Sequence, residues 1–131
     1  MKTELTVEQS QLLIELGVPK EKASAFDYMD SGKSVGGVEM PPIRVPVFNL
    51  EDFLNGEILP KIIVTEKGNC SLRIKYVHLN DKIQAEVCYP AIWDFPTYLN
   101  HSPTYFKEEL IDALYELACW YYGKYLKSEE I

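Results

Sequence analysis

Apolar residues open the chain at helical spacing, with Val7, Leu12, Leu13, Ile14 and Leu16 forming a stripe that stops at Gly17. Thr6 followed by Gln9 makes a capping box, so the pattern predicts a first helix over about residues 6–16. Pro19 suits the first turn of a second short helix through PKEKASAFDYM, and the two together predict an αα-hairpin. The rhythm then disappears. Between Asp30 and Pro46 glycine, serine and proline dominate, which predicts a long loop or flexible arm. Helical signals return in VFNLEDFLNGEILP, where Asn49 is an N-cap answered by Asp52, and Pro60 ends one or two short turns.

A period of two replaces the helical one between residues 61 and 89. If Asn80 and Asp81 form a two-residue turn, His78 pairs with Ile83, Tyr76 with Ala85, Ile74 with Val87 and Leu72 with Tyr89, all on one face. The other face then pairs Lys75 with Glu86 and Arg73 with Cys88. A slip of one residue destroys both matches, which makes the register a sharp expectation. Upstream, KIIVT reaches the same hairpin through EKGN, and a three-residue loop with Gly68 sets Ile62 and Val64 opposite Ile74 and Leu72. These strands predict an antiparallel β-meander whose apolar face needs a cover.

The cover is ELIDALYELACWYYGKYL, residues 109–126, entered from Ser102 or Thr104. At 100° per residue Leu110, Ile111, Leu114, Leu117, Ala118, Tyr121 and Tyr125 share an arc of about 120°, the width of a core-facing stripe. The expected fold is α+β: a three-stranded antiparallel β-meander covered by the N-terminal αα-hairpin and a long C-terminal helix, in a single domain spanning 1–131. Trp120 falls on the flank of that helix beside Phe106 and Ala113. There the segment 90–105 covers it, or it is left open as a protein contact.

Segment 90–105 carries Trp93, Phe95, Tyr98 and Tyr105 among three prolines. A connection of that length with no regular pattern is characteristic of functional loops. The candidate binding residues are therefore Trp93, Asp94, Phe95, Tyr98, His101 and Trp120. None is put forward as catalytic, as a metal ligand or for a cofactor.

Composition narrows the functional classes. A net charge of −7 opposes direct binding to nucleic acid or an anionic membrane, and no run approaches a membrane span. The polar opening MKTELTVEQSQ lacks an export signal, so the expected location is cytoplasmic, with Cys70, Cys88 and Cys119 as reduced, mostly buried thiols. SGKS at 31–34 resembles the end of a phosphate-binding loop, but Asp27 stands where that motif needs glycine. A triad of Cys88, His101 and Asp94 has no spacing that brings it together, and His78 reads as a structural histidine at the end of the apolar strand face. LLIELGVPKEKAS has helix-turn-helix character, yet Glu21 between Lys20 and Lys22 weakens a phosphate-contacting face.

Three blocks, LTVEQSQLLIELGVPKEKAS, VFNLEDFLNGEILPK and ELIDALYELACWYYGKYL, resemble a group of small uncharacterised proteins from prophage and other mobile elements of gut Bacteroidetes. The resemblance implies a genomic setting and no chemistry. The leading expectation is a non-enzymatic accessory protein that binds a protein partner or itself as a homodimer, through the aromatic helix end or the strand edge from Ile83 to Tyr89. An acidic decoy that mimics nucleic acid and binds a DNA-handling enzyme is the second expectation. The third is a small enzyme whose aromatic loop closes over Tyr98, His101 and Asp94.

Overall fold

The computed structural model describes residues 1–29, 34–39, 41–65, 68–90 and 103–129. Helix α1 (Val7–Leu16) begins at the expected capping box, with the Gln9 amide donating to Thr6 Oγ1 and Gln9 Oε1 accepting from the Thr6 amide. It ends at Gly17, whose φ of 121° favours a residue without Cβ. The predicted αα-hairpin does not form. Lys20–Lys22 make a single 3-10 turn, and the chain then enters strand β1 (Ala25–Met29). The cause lies far along the sequence: Asp52 accepts hydrogen bonds from the Ser24 hydroxyl at 2.7 Å and the Ser24 amide at 3.2 Å, which holds the chain extended where a helix would continue.

The segment expected as a loop holds strands β2 (Ser34–Val35), β3 (Val38–Glu39) and β4 (Ile43–Val47). Gly36 and Gly37, with φ of 60° and 79°, turn β2 into β3, and β4 pairs antiparallel with β1. Helix α2 (Leu50–Leu54) starts at the predicted Asn49–Asp52 capping box. Asp52 is nevertheless buried, because it serves the cap and Ser24 together.

Strands β5 (Ile62–Thr65) and β6 (Gly68–Ser71) pair with each other, so the expected meander is not the arrangement adopted. Ile62 and Val64 face Ser71 and Asn69 instead of Ile74 and Leu72. With side chains alternating across a strand, Ile63 and Cys70 turn inward and Val64 is left 75% exposed. Leu72 donates its amide to the Lys61 carbonyl, continuing that ladder, and the paired register of the next two strands begins only at Arg73.

From there the predicted register holds. Strands β7 (Arg73–Leu79) and β8 (Lys82–Cys88) pair Ile74 with Val87, Tyr76 with Ala85, His78 with Ile83, Lys75 with Glu86 and Arg73 with Cys88. Asn80 and Asp81, at φ of 54° and 63°, form the two-residue turn. A short strand β9 (Tyr105–Lys107) joins the far side of β8 and displaces the start of the long helix to Leu110.

Helix α3 (Leu110–Trp120) packs on β8 and β9. Leu110, Ile111, Leu114, Leu117 and Ala118 are buried as the stripe predicted, in one core with Leu13, Phe48, Phe53, Ile58, Leu59, Val87 and Tyr89. A π-helical turn (Tyr121–Tyr125) follows, then α4 (Leu126–Glu129).

Candidate interaction surface

The π turn explains the aromatic end of the helix. A wider turn advances each residue by less than 100°, so side chains four and five positions apart fall nearly in line. Tyr125 accordingly meets both Tyr121, stacked at 5.4 Å between centroids, and Trp120 at 5.3 Å. Trp120 also packs on Tyr89, at 6.5 Å, and is only 7% exposed. Its cover thus includes the end of β8 and its own helix, and the indole presents no open contact face. Tyr89 and Tyr122 donate their hydroxyls to the carbonyls of Pro60 (2.7 Å) and Ile58 (2.6 Å), tying this cluster to the chain after α2. Tyr121, expected on the buried face, is half-buried against the same core.

Burial raises the hydroxyl pKa of Tyr89 well above the ordinary tyrosine value. It pushes Tyr122 to about 12, and Tyr115 also to about 12, with a hydrogen bond to Cys119 adding to the latter. Such shifts belong to packed structural phenols as readily as to functional ones. Cys70 and Cys88 are buried, Cys119 is half-buried, and all three are free thiols.

Of the six candidate binding residues, Trp93, Asp94, Phe95, Tyr98 and His101 lie outside the described residues, as do Ser31–Lys33 of SGKS. Trp120 lies in the core. His78 is exposed, because it occupies the half of the hairpin beyond the helical cover, so packing does not assign it the structural role expected of it.

Among the described residues two open clefts can be traced. The larger, about 430 Å³, is lined by Lys2, Thr6, Gln9, Lys107, Asp112, Tyr115 and Glu116. Its charges satisfy one another, with Lys2 Nζ 2.7 Å from Asp112 Oδ1 and Lys107 Nζ 4.0 Å from Glu116 Oε1. That arrangement stitches the N-terminus to α3. The smaller, about 310 Å³, lies between Thr3, Glu4 and the outer side of α2. Among the described residues no cluster of three His, Cys, Asp or Glu side chains could hold a metal ion.

Exposed apolar side chains concentrate instead on the strands. On the β1–β4 ribbon Tyr28 is 64% exposed, Phe26 and Ile43 are open, and the Arg44 guanidinium sits 3.7 Å over the Phe26 ring. On the β7–β8 hairpin Tyr76 and Ile83 are 52% and 59% exposed on one face, and Leu79 is exposed on the other. The cause is geometric: among the described residues α3 packs on β8 and β9 and makes little contact with β7. On the opposite face Glu86 is buried with Lys75 Nζ 3.1 Å and Arg73 3.8 Å away. The Lys75 contact is Coulombic rather than an aligned hydrogen bond, since Glu86 Oε2 has no hydrogen-bond partner among the described residues. The period-two pattern revealed this face, but its partial cover depends on helix placement.

No protein-family model, curated protein or solved structure matches this chain.

Proposed function

We propose that this chain is a non-enzymatic protein-interaction module whose contact surface lies on its strands. What supports the reading is the division of apolar residues. The aromatic helix end is sealed inside, while Phe26, Tyr28, Tyr76, Leu79 and Ile83 stand open on strand faces. Clustered large apolar side chains held open on a rigid scaffold are the composition of a contact surface. A phage or other mobile-element setting belongs to the proposal through the three sequence blocks described above. The acidic-decoy reading draws no such support, because the ion pairs Lys22–Glu57, Lys82–Glu108 and Lys2–Asp112 intersperse the two signs.

The test is a charge scan of the open strand faces, with Phe26→Glu, Tyr28→Lys, Tyr76→Lys and Ile83→Lys compared for thermal stability and for protein cross-links formed in extracts of the expressing cell. The expected result is a Tm within a few degrees of the parent and loss of cross-linked species in at least one variant. Adducts identical in every variant and the parent, or none at all, would overturn the reading.

A further inference from the structure

We propose that the outer edge of β7 is a self-association site, at which two copies of this chain pair antiparallel about a two-fold axis at Tyr76 and merge their three-stranded sheets into one. The proposal rests on the interaction reading above and names the partner. Edge Ile83–Tyr89, the one named from sequence, is closed along its middle, where β9 pairs with Ala85–Val87. The other side of the sheet is β7, whose residues Arg73–Leu79 pair with no strand beyond β8 among the described residues, while Lys61 takes the outward amide of Leu72 just before them.

The turn at Asn80–Asp81 fixes which groups are free. Leu79 and Lys82 flank a two-residue turn and so form a hydrogen-bonded pair, after which the bonding alternates. Odd-numbered residues of β7 therefore bond to β8, while Ile74, Tyr76 and His78 aim their amides and carbonyls outward. Edges of this kind are normally blunted by proline, a bulge or an outward lysine. Strand β7 has an unbroken seven-residue register, contains no proline, and has Arg73 and Lys75 drawn back toward Glu86.

Charge placement selects a second copy in this orientation. The cations of β7 lie at one end, Arg73 and Lys75, and the acidic Asp81 follows the other. A parallel pairing would set like charges side by side. Antiparallel pairing about Tyr76, the midpoint of 73–79, separates the two basic ends and brings each Arg73 beside the second copy's uncharged Leu79. The outward set is self-complementary: Tyr76 meets Tyr76, and Ile74 meets His78, with about six new backbone hydrogen bonds.

Light scattering from dilute to concentrated solution, with residue-resolved amide exchange on the same samples, tests this. The expected mass climbs from 15.1 kDa toward twice that value. The amides of Ile74, Tyr76 and His78 should slow by about tenfold or more with concentration while those of Lys75 and Val77 do not change. His78→Pro, which deletes an outward donor, and Tyr76→Lys, which alters only an exposed side chain, should each weaken dimerisation by about tenfold or more. A mass of 15.1 kDa at every concentration overturns the proposal, as does a dimer whose three outward amides exchange as in the monomer. A monomer that still loses cross-links to a different protein on Tyr76→Lys overturns self-association and leaves the interaction reading standing. A monomer without any cross-link removes both.

Discussion

Replacing Trp120 with alanine should cost the protein about 4 kcal/mol of stability. The indole is 7% exposed and touches both Tyr89 and Tyr125. Its truncation removes about 150 Å² of buried apolar surface, about 4 kcal/mol at ~25 cal/mol per Å². Two aromatic contacts add about 0.5–1.5 kcal/mol each, and the compactness of the unfolded chain subtracts a comparable amount. The sum falls within the range of about 3–5 kcal/mol for truncating a core aromatic. Unfolding entropy for 131 residues is about 0.28 kcal/mol per kelvin, so the midpoint should fall by about 15 °C. Urea denaturation of the Trp93→Phe background, with and without Trp120→Ala, measures this by circular dichroism. A loss below about 1 kcal/mol would refute the packing described for the helix end and restore Trp120 as a candidate surface residue.

Other consequences are open to direct measurement. Asp52→Ala should destabilise by about 2–4 kcal/mol, because it removes the partner of the Ser24 hydroxyl and of the Ser24 and Asn49 amides together, and chemical denaturation will show it. Gly123→Ala should be neutral or stabilising by up to about 1 kcal/mol, since the new Cβ meets Leu16 at an ordinary 3.6 Å. Gly17→Ala should instead cost about 1 kcal/mol at its φ of 121°. In alkaline titration followed by ultraviolet absorbance, Tyr115 and Tyr122 should ionise near pH 12 and Tyr89 above them. Because these folded-state values lie above the unfolded value, the stability they confer is fully present below about pH 10 and is lost as pH rises through 12. Denaturation midpoints measured from pH 9 to pH 12 should therefore fall, and a flat profile would contradict the burial of these phenols.

Local chemistry was legible where neighbours in sequence decide the outcome. Both capping boxes, Gly17, the Asn80–Asp81 turn and the whole register from Arg73 to Leu79 follow from residues a few positions apart. The failures share one cause, distant partners. PKEKASAFDYM reads as helix, but Asp52 captures Ser24 and β4 pairs with Ala25–Met29. Glycine and proline in 30–46 read as a loop, yet β4 tolerates Pro46 opposite Phe26 in a two-stranded ribbon. The three-residue shift that sets Ile62 and Val64 opposite Ser71 and Asn69, instead of Ile74 and Leu72, is signalled by no periodicity. The helix end was ambiguous because its amphipathic arc assumes 100° per residue, and the π turn rotates Tyr125 beneath Trp120. The bare hairpin half was invisible for a similar reason: strand alternation marks an apolar face but not where a helix stops covering it.

The most direct test of the account is hydroxyl-radical footprinting of the purified protein in dilute and concentrated solution, resolved at Tyr76, Ile83, Tyr89 and Trp120. The account predicts Tyr89 and Trp120 protected at both concentrations and Ile83 reactive at both, with Tyr76 reactive when dilute and shielded when concentrated. Reactive Trp120 beside unreactive Tyr76 and Ile83 in dilute solution would contradict it, placing the open contact surface at the helix end rather than on the strands.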